Sequence, residues 1–321
     1  MNCLSCGKLI KDSSSDHEKE NCWHLKCIKS FFGTSAMPML DISESQLLEL
    51  ANAAVNRGLA VPGVQKKLSL NLSGDTQTRL TIVDYPTGYI LKPQTKEFVS
   101  LPEFEDLAMR LADRAGIKTV PHALMKIKGV YAYLTKRIDR DIKGDNVHLY
   151  AMEDFCQLSN RLTQDKYKGS YENCGKIIRK YSDRPGLDLS ELFLRIAFSF
   201  IIGNSDMHLK NFSLIEIEPA GRHYGLSSAY DMLPVNIIMP EDEEQLALTL
   251  NGEKRNIHRN DFVKFAETCG ISLKSANDML NQLCSLRNDF LMLCDQSYLS
   301  DELKIKTKDL IVLRNGILRL I

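Results

Sequence analysis

The segment Gly203-Asn-Ser-Asp206-Met-His208-Leu-Lys210-Asn211 sets a carboxylate and a carboxamide on one loop with four residues between them. Phosphoryl transfer needs both groups: a base for the proton of the acceptor hydroxyl, and an oxygen ligand for Mg2+. Kinase catalytic loops use this spacing. A strongly apolar stretch precedes the loop and a strand-like stretch follows it, so its polar groups do not serve a core. Ser228-Ala-Tyr-Asp231-Met, twenty residues past Asn211, offers a second acid. Asp231, Asn211 and phosphate oxygens would suit magnesium, which prefers hard oxygen ligands in near-octahedral geometry. Upstream, Lys92 ends the strand-like Tyr-Ile-Leu-Lys-Pro, and Glu105 follows thirteen residues later in a helix-like run. A strand lysine held by a helix glutamate is the ion pair that fixes the α/β-phosphates of ATP. His208 and Lys210 could offer positive charge to the transferring phosphoryl group, although a scaffolding hydrogen bond would equally explain His208. Asp206 and Asn211 could simply cap a turn, but five such residues in this order argue against that.

A second set lies at the start of the chain. Cys3-Leu-Ser-Cys6 and His24-Leu-Lys-Cys27 form two knuckles that offer three thiolates and an imidazole, enough to close a tetrahedral Zn2+ site. Cys22 could substitute for His24. Some thirty residues bury little core of their own, and a metal would explain how they fold. The alternative is a flexible arm with unbound thiols. The remaining cysteines, Cys156, Cys174, Cys269, Cys284 and Cys294, sit in helix-like segments and read as core thiols.

The elements that must position these groups change period along the chain. Residues 43–56 carry a helical stripe of Leu47, Leu50, Ala51 and Ala54 behind Ser43 as a cap. Residues 67–72, 79–83 and 88–92 alternate as strands. A helix is predicted from Pro102 to Ala115, ending at Gly116, and a hairpin from 123–127 and 130–138 around Lys128-Gly129. Residues 59–148 thus read as an antiparallel sheet carrying one helix. Beyond Tyr150, helices are predicted at 151–161, 171–181, 188–203, 260–269, 272–294 and 301–315, with a small β insert at 212–217 and 223–226. Arg137, Asp139 and Arg140 end a strand, where an ion-pair cluster is expected ahead of the alternative, a substrate contact. The expected fold is α+β and two-lobed, like a protein kinase. The predicted divisions are a cysteine-rich segment at 1–40, a β-rich N-lobe at 41–148 and a helical C-lobe at 149–321.

Composition bounds the rest. The chain has 321 residues, with 41 basic and 41 acidic side chains and 44% hydrophobic residues. That is ordinary globular composition, which excludes disordered and collagen-like classes. Zero net charge argues against a protein that grips nucleic acid through its bulk field. The longest apolar run, 196–202, is far short of the ~20 residues of a spanning helix. The polar start Met1-Asn2-Cys3 shows no secretory signal, so a cytoplasmic protein with no membrane partner is expected.

Val61-Pro-Gly-Val-Gln-Lys-Lys-Leu68, Tyr89-Ile-Leu-Lys-Pro93, Glu105 ahead of Met109-Arg-Leu-Ala112, Lys136-Arg-Ile-Asp-Arg140, Met152-Glu-Asp-Phe-Cys-Gln157, Asn204 to Asn211 and Ala229-Tyr-Asp231 appear in this order. Together they resemble the HipA-like toxin kinases over residues 58–321, most closely the short HipT type. The resemblance implies an ATP- and Mg2+-dependent serine/threonine protein kinase, the toxin of a toxin–antitoxin module. Its substrate would be a translation component such as an aminoacyl-tRNA synthetase. It further implies Asp206 as catalytic base, Asn211 and Asp231 as magnesium ligands, and Lys92 on the ATP phosphates with Glu105 as its partner. Gly63, Val64, Gln65 and Lys67 would belong to a loop covering the phosphates with backbone amides. A helix-turn-helix antitoxin and a small HipS-like subunit are the implied partners, with DNA met only through the antitoxin. Two features depart from the family pattern. Ala60, Val61 and Pro62 stand where a self-phosphorylated serine often precedes the glycine loop, and the cysteine-rich start lies outside the family's kinase core. A small-molecule or lipid kinase, and a non-catalytic antitoxin-docking protein, remain the alternative readings.

Overall fold

In the computed structural model the structure describes residues 1–41, 67–73, 79–81, 87–143 and 146–319. The helix predicted at 43–56 and the glycine loop, with Ala60 to Gln65, lie outside the described residues. The chain divides into two compact units, one of residues 1–106 and 120–148, the other of residues 107–119 and 149–321.

The first unit is built on a six-stranded sheet of order β1-β3-β2-β4-β6-β5. Its strands are β1 (Met39–Asp41), β2 (Leu68–Ser73), β3 (Arg79–Thr81), β4 (Tyr89–Pro93), β5 (His122–Ile127) and β6 (Val130–Lys136). The hairpin expected around Lys128-Gly129 is present, with His122 opposite Thr135 and Ile127 opposite Val130. Both turn residues have positive φ, 50° and 86°, as the tight turns that match strand twist require. The sheet is antiparallel except at its edge, where β1 pairs parallel to β3; the sequence reading contained no strand there. A separate two-stranded sheet joins β7 (Arg140–Lys143) and β8 (Asn146–Leu149).

The cysteine-rich start belongs to this unit and forms α1 (Asp16–Asn21) and α2 (Leu25–Phe32). Its apolar residues find partners outside the segment. Trp23, fully buried, packs on Phe31 and Phe32, and both phenylalanines pack on Tyr89 of β4. The edge of β5 is covered in the same way. Leu124 donates its amide to the Leu4 carbonyl at 3.0 Å. Its carbonyl accepts from the Trp23 indole at 3.1 Å. Both outward backbone groups of this edge residue are thereby satisfied. The helix α3 (Leu101–Arg114) follows β4 and is divided between the two units at Asp106.

The second unit is mostly helical: α4 (Phe155–Leu158), α5 (Tyr171–Tyr181), α6 (Pro185–Ile202), α7 (Val235–Ile238), α8 (Arg259–Thr268), α9 (Leu273–Ser285), α10 (Arg287–Gln296) and α11 (Asp301–Leu318). Pro185 starts α6 where its missing N–H costs nothing, and Gly203 ends it in the left-handed region. Leu192, Phe193, Ile196 to Phe198 and Phe200 to Ile202 are all buried, so the C-terminal half of α6 is covered on every side, while Leu187 in its first turn is exposed. Phe262 and Phe265 of α8 and Phe290 of α10 pack against it. The five scattered cysteines are buried free thiols, as expected.

Two predicted helices differ. Residues 151–161 form the strand β9 (Met152–Asp154) before the single turn of α4, because β9 pairs with β10 (Ser213–Glu216) in a sheet completed by β11 (Tyr224–Leu226). Residues 272–294 are two helices, α9 and α10. Buried Asn315 of α11 donates its carboxamide to the Cys284 carbonyl at 3.1 Å, taking an acceptor at the end of α9. No described helix is long and apolar enough to cross a membrane.

Candidate active site

In the first unit the structure brings Lys92 and Glu105 together. Lys92 follows Leu91 near the end of β4, opposite Tyr133 of β6, and its ammonium lies 5.5 Å from the centre of the Tyr133 ring. Glu105 lies in the second turn of α3 and accepts from Lys92 Nζ at 2.5 Å. The two side chains are only 4% and 1% exposed. A lysine and a glutamate at this depth are held by each other, since either charge alone would be costly. Beside them lies a pair that sequence reading passed over: His122 Nδ1 is 3.7 Å from Asp106 Oδ1, and the His122 ring stacks on Tyr133. Lys67, just before β2, is exposed.

Arg137, Asp139 and Arg140 form the expected ion-pair cluster, with Arg137 and Arg140 both donating to Asp139. Burial opposes ionisation there, yet the hydrogen bonds and charges of the two guanidinium groups hold the Asp139 carboxyl well below its usual range.

In the second unit the loop after α6 is wound tightly on itself. The Asp206 amide donates to Asn204 Oδ1 at 3.2 Å, and its carbonyl accepts from the His208 amide at 2.8 Å. A short 3-10 turn, Leu209–Asn211, then returns Asn211 to the loop. Asn211 Nδ2 donates to the Asp206 carbonyl at 2.9 Å and to the Asp231 carbonyl at 3.5 Å. One carboxamide thus ties together all three residues singled out by spacing. Asp231 itself has a φ of 59°, a left-handed conformation that Asp tolerates better than most side chains and that often marks functional backbone.

His208 is buried, its ring edge-on to Tyr167 at 5.0 Å. Lys210 does not stand as an isolated cation: its ammonium is 2.6 Å from Asp154 Oδ2, the last residue of β9. The cation expected near the transferring phosphoryl group is thus ion-paired in this structure, with its side chain 34% exposed. Tyr230 reinforces the same corner, donating to the Lys210 carbonyl at 3.1 Å.

Three contributors were missed by reasoning from the sequence. Tyr167 donates to Asp206 Oδ1, Asp242 accepts from Ser205 at 2.6 Å, and Asp154 holds Lys210. Burial first, then the charge of Asp206, raises the Tyr167 phenol well above its ordinary range, so it remains a donor. Asp154 sat inside a quoted motif and could have been noticed; Tyr167 and Asp242 carry no motif at all.

The four knuckle residues also converge. One ligand atom each from Cys3, Cys6, His24 and Cys27 lies within 4.8 Å of the others, and Cys22 is outside this group. Burial works against it, but the Lys8 amide and His24 hold the Cys6 thiol at about 7. Burial and the neighbouring Cys3 push Cys27 up to about 12.

Comparison with known proteins bears on the family and the fold. A Haemophilus influenzae protein named as a candidate kinase is 26% identical over 240 residues, covering 67% of this chain and 68% of its own. The Sinorhizobium fredii candidate kinase Y4dM is 32% identical over 228 residues, covering 66% of this chain and 53% of its own. This chain therefore spans about half the length of that relative. Among solved structures, HipA of the Shewanella oneidensis toxin–antitoxin system, in a complex with HipB and its operator DNA, gives a TM-score of 0.68 at 18% identity, covering 80% of this chain and 64% of that one. The Helicobacter pylori proinflammatory kinase CtkA gives 0.54 at 16% identity, covering 78% of this chain and 93% of that one. At such identities the likeness is one of α+β, kinase-like fold. The family model for the HipA-like C-terminal domain matches residues 59–289, and this chain belongs to that family.

Proposed function

We propose that this protein is an ATP- and Mg2+-dependent protein kinase acting on serine or threonine, the toxin of a toxin–antitoxin module. The observation that carries the reading is the Asn211 carboxamide. Its Nδ2 donates to the backbone carbonyls of Asp206 and Asp231, which orients Oδ1 as the acceptor end. In this reading Asn211 Oδ1 and the Asp231 carboxylate hold Mg2+, which supplies charge neutralisation at the phosphates. Asp206 accepts the proton of the acceptor hydroxyl, and Tyr167 holds one of its oxygens. Lys92, braced by Glu105, neutralises the α/β-phosphates, and the resemblance alone assigns phosphate contacts to Gly63, Val64, Gln65 and Lys67. His208 steadies the loop beside Tyr167. Lys210, bound to Asp154, tethers the loop to β9 rather than touching phosphate. Zn2+ has no step in this chemistry.

The resemblance supplies the substrate class, a translation protein such as an aminoacyl-tRNA synthetase, and with it a cytoplasmic setting. A helix-turn-helix antitoxin is the proposed partner, supported by the Shewanella HipA complex with HipB and operator DNA. A small HipS-like subunit is proposed from the resemblance alone. Incubating the purified protein with γ-labelled ATP, Mg2+ and host lysate tests the reading. Label on serine or threonine of a protein, lost in Asp206→Asn, supports it. Label in the lipid fraction would make it a lipid kinase, and no transfer at all would make it a docking protein.

A further inference from the structure

The N-terminal knuckle holds chemistry that phosphoryl transfer does not use. Its first turn is closed by Cys3 N–H to Lys8 O and Gly7 N–H to Cys3 O, both at 2.8 Å, which directs Cys3 and Cys6 to one side. Its second part is the start of α2, where His24 is the N-cap and Cys27 lies in the first turn. His24 Nδ1 is 3.3 Å from Cys6 Sγ and 3.9 Å from Cys27 Sγ. The other ring nitrogen, Nε2, lies 3.3 Å from the Leu9 carbonyl. A carbonyl only accepts, so Nε2 carries the proton and Nδ1 keeps its lone pair towards the sulfurs. The His24 amide donates to Cys3 Sγ at 3.4 Å.

Three thiolates and one imidazole, with no carboxylate among them, are a soft donor set that suits Zn2+. Zn–S bonds of ~2.3 Å in a tetrahedron place sulfurs ~3.8 Å apart, and the four ligand atoms already lie within 4.8 Å. Four protein donors leave no position for water, so the metal would be structural. Cys22 takes no part: it caps α1 in the left-handed region, and its thiol donates to the Lys19 carbonyl at 3.7 Å.

The surroundings say what such a metal would hold. Among the described residues, Leu4, Trp23, Phe31 and Phe32 join knuckle to sheet, and each is next to a ligand or on the helix that begins with two of them. Leu4 adjoins Cys3 and accepts from Leu124; Trp23 adjoins His24 and donates to Leu124. Phe31 and Phe32, at the end of α2, flank Tyr89, whose hydroxyl donates to the Phe31 carbonyl at 3.3 Å. Tyr89 is on β4, the strand that carries Lys92. We propose that Cys3, Cys6, His24 and Cys27 bind one Zn2+ that locks the knuckle as a buttress on the β5 edge and on β4. The metal cross-links the two turns, and the cross-link holds Leu4, Trp23 and α2 in register with the sheet.

The chain has a single tryptophan, and it is Trp23, so its emission reports on the docked knuckle alone. Full-length protein purified without chelator should contain about one zinc per chain by elemental analysis. Cys3→Ser and Cys27→Ser should lose it, and Cys22→Ser should keep it. Stripping the wild-type protein with a strong chelator and a thiol-reactive mercurial, then removing the mercurial with excess thiol, should shift Trp23 emission to the red and open residues 1–33 to protease. Added Zn2+ should reverse both. Zinc-free protein that takes up no Zn2+ would overturn the site. Unchanged Trp23 emission on stripping would overturn the buttress, and metal loss in Cys22→Ser equal to that in Cys3→Ser would overturn the ligand set. Should the serine variants fail to fold, the stripping of wild-type protein still decides. None of these readouts depends on phosphoryl transfer.

Discussion

The Tyr167 hydroxyl donates a hydrogen bond to Asp206 Oδ1 across thirty-nine residues of sequence. Tyr167 also meets the His208 ring edge-on, so one phenol positions both the candidate base and its neighbour in the loop. Fixing one carboxylate oxygen orients the other. Tyr167→Phe should lower kcat by roughly ten- to a hundredfold, with KM for ATP unchanged, because misplaced groups lose rate without losing substrate binding. An unaltered kcat in steady-state assays would show that Asp206 needs no such support.

Asp206→Asn removes the proton acceptor, and Asp231→Asn removes a charged metal ligand. Each should leave the circular dichroism spectrum unchanged and reduce phosphoryl transfer by on the order of 10²–10⁴. The Asp231 variant should in addition require more Mg2+ for half-maximal rate. Native rates in Asp206→Asn would refute the role given to that loop.

Glu105→Gln removes the carboxylate charge that lies 2.5 Å from the buried Lys92 ammonium. At exposures of 4% and 1% for the pair, the loss should be about 3–5 kcal/mol by urea unfolding. The double variant Lys92→Met/Glu105→Leu should recover much of that stability, since packed apolar groups replace such pairs at little cost. It should nonetheless transfer no phosphate. Activity in the stable double variant would remove the pair from the mechanism.

Gly203 ends α6 at a φ of 73°, and a Cβ there would sit 2.4 Å from Leu310 Cδ2. The leucine tip can move, but the left-handed backbone remains strained for any other residue. Gly203→Ala should cost about 1–2 kcal/mol and, being three residues from Asp206, should depress kcat as well. Equal stability to wild type in denaturant titration would show that the loop relaxes freely.

Buried phenols predict an alkaline limit. Burial pushes Tyr89 up to about 12 from 10.0, and burial also raises Tyr167, Tyr171 and Tyr230. With folded values above unfolded ones, the unfolded chain ionises first as pH climbs. Stability is therefore complete below pH ~10 and falls above it, by up to ~1.4 kcal/mol per pH unit for each such tyrosine. Urea midpoints at pH 8, 10 and 11 check this, and a flat profile would contradict the burial of these hydroxyls.

Local order carried much of this protein on its face. The β-then-α sequence, the hairpin at Lys128-Gly129 and the helices at 171–181 and 259–268 follow from periodicity, caps and turn residues, which act over a few neighbours. The spacing of Asp206, Asn211 and Asp231, and of the Cys-x2-Cys and His-x2-Cys knuckles, was legible because chemistry fixes residue types at short range. Tertiary pairing decided the rest. Residues 152–154 are a strand because β10 offers an edge for them, and the 272–294 run divides at Leu286, where Asn315 of α11 donates to the Cys284 carbonyl. Tyr167 on Asp206, Asp154 on Lys210 and Trp23 on Leu124 join residues 39, 56 and 101 positions apart. No local pattern encodes such contacts. They form where buried polar groups, once the chain has closed around them, must find a partner.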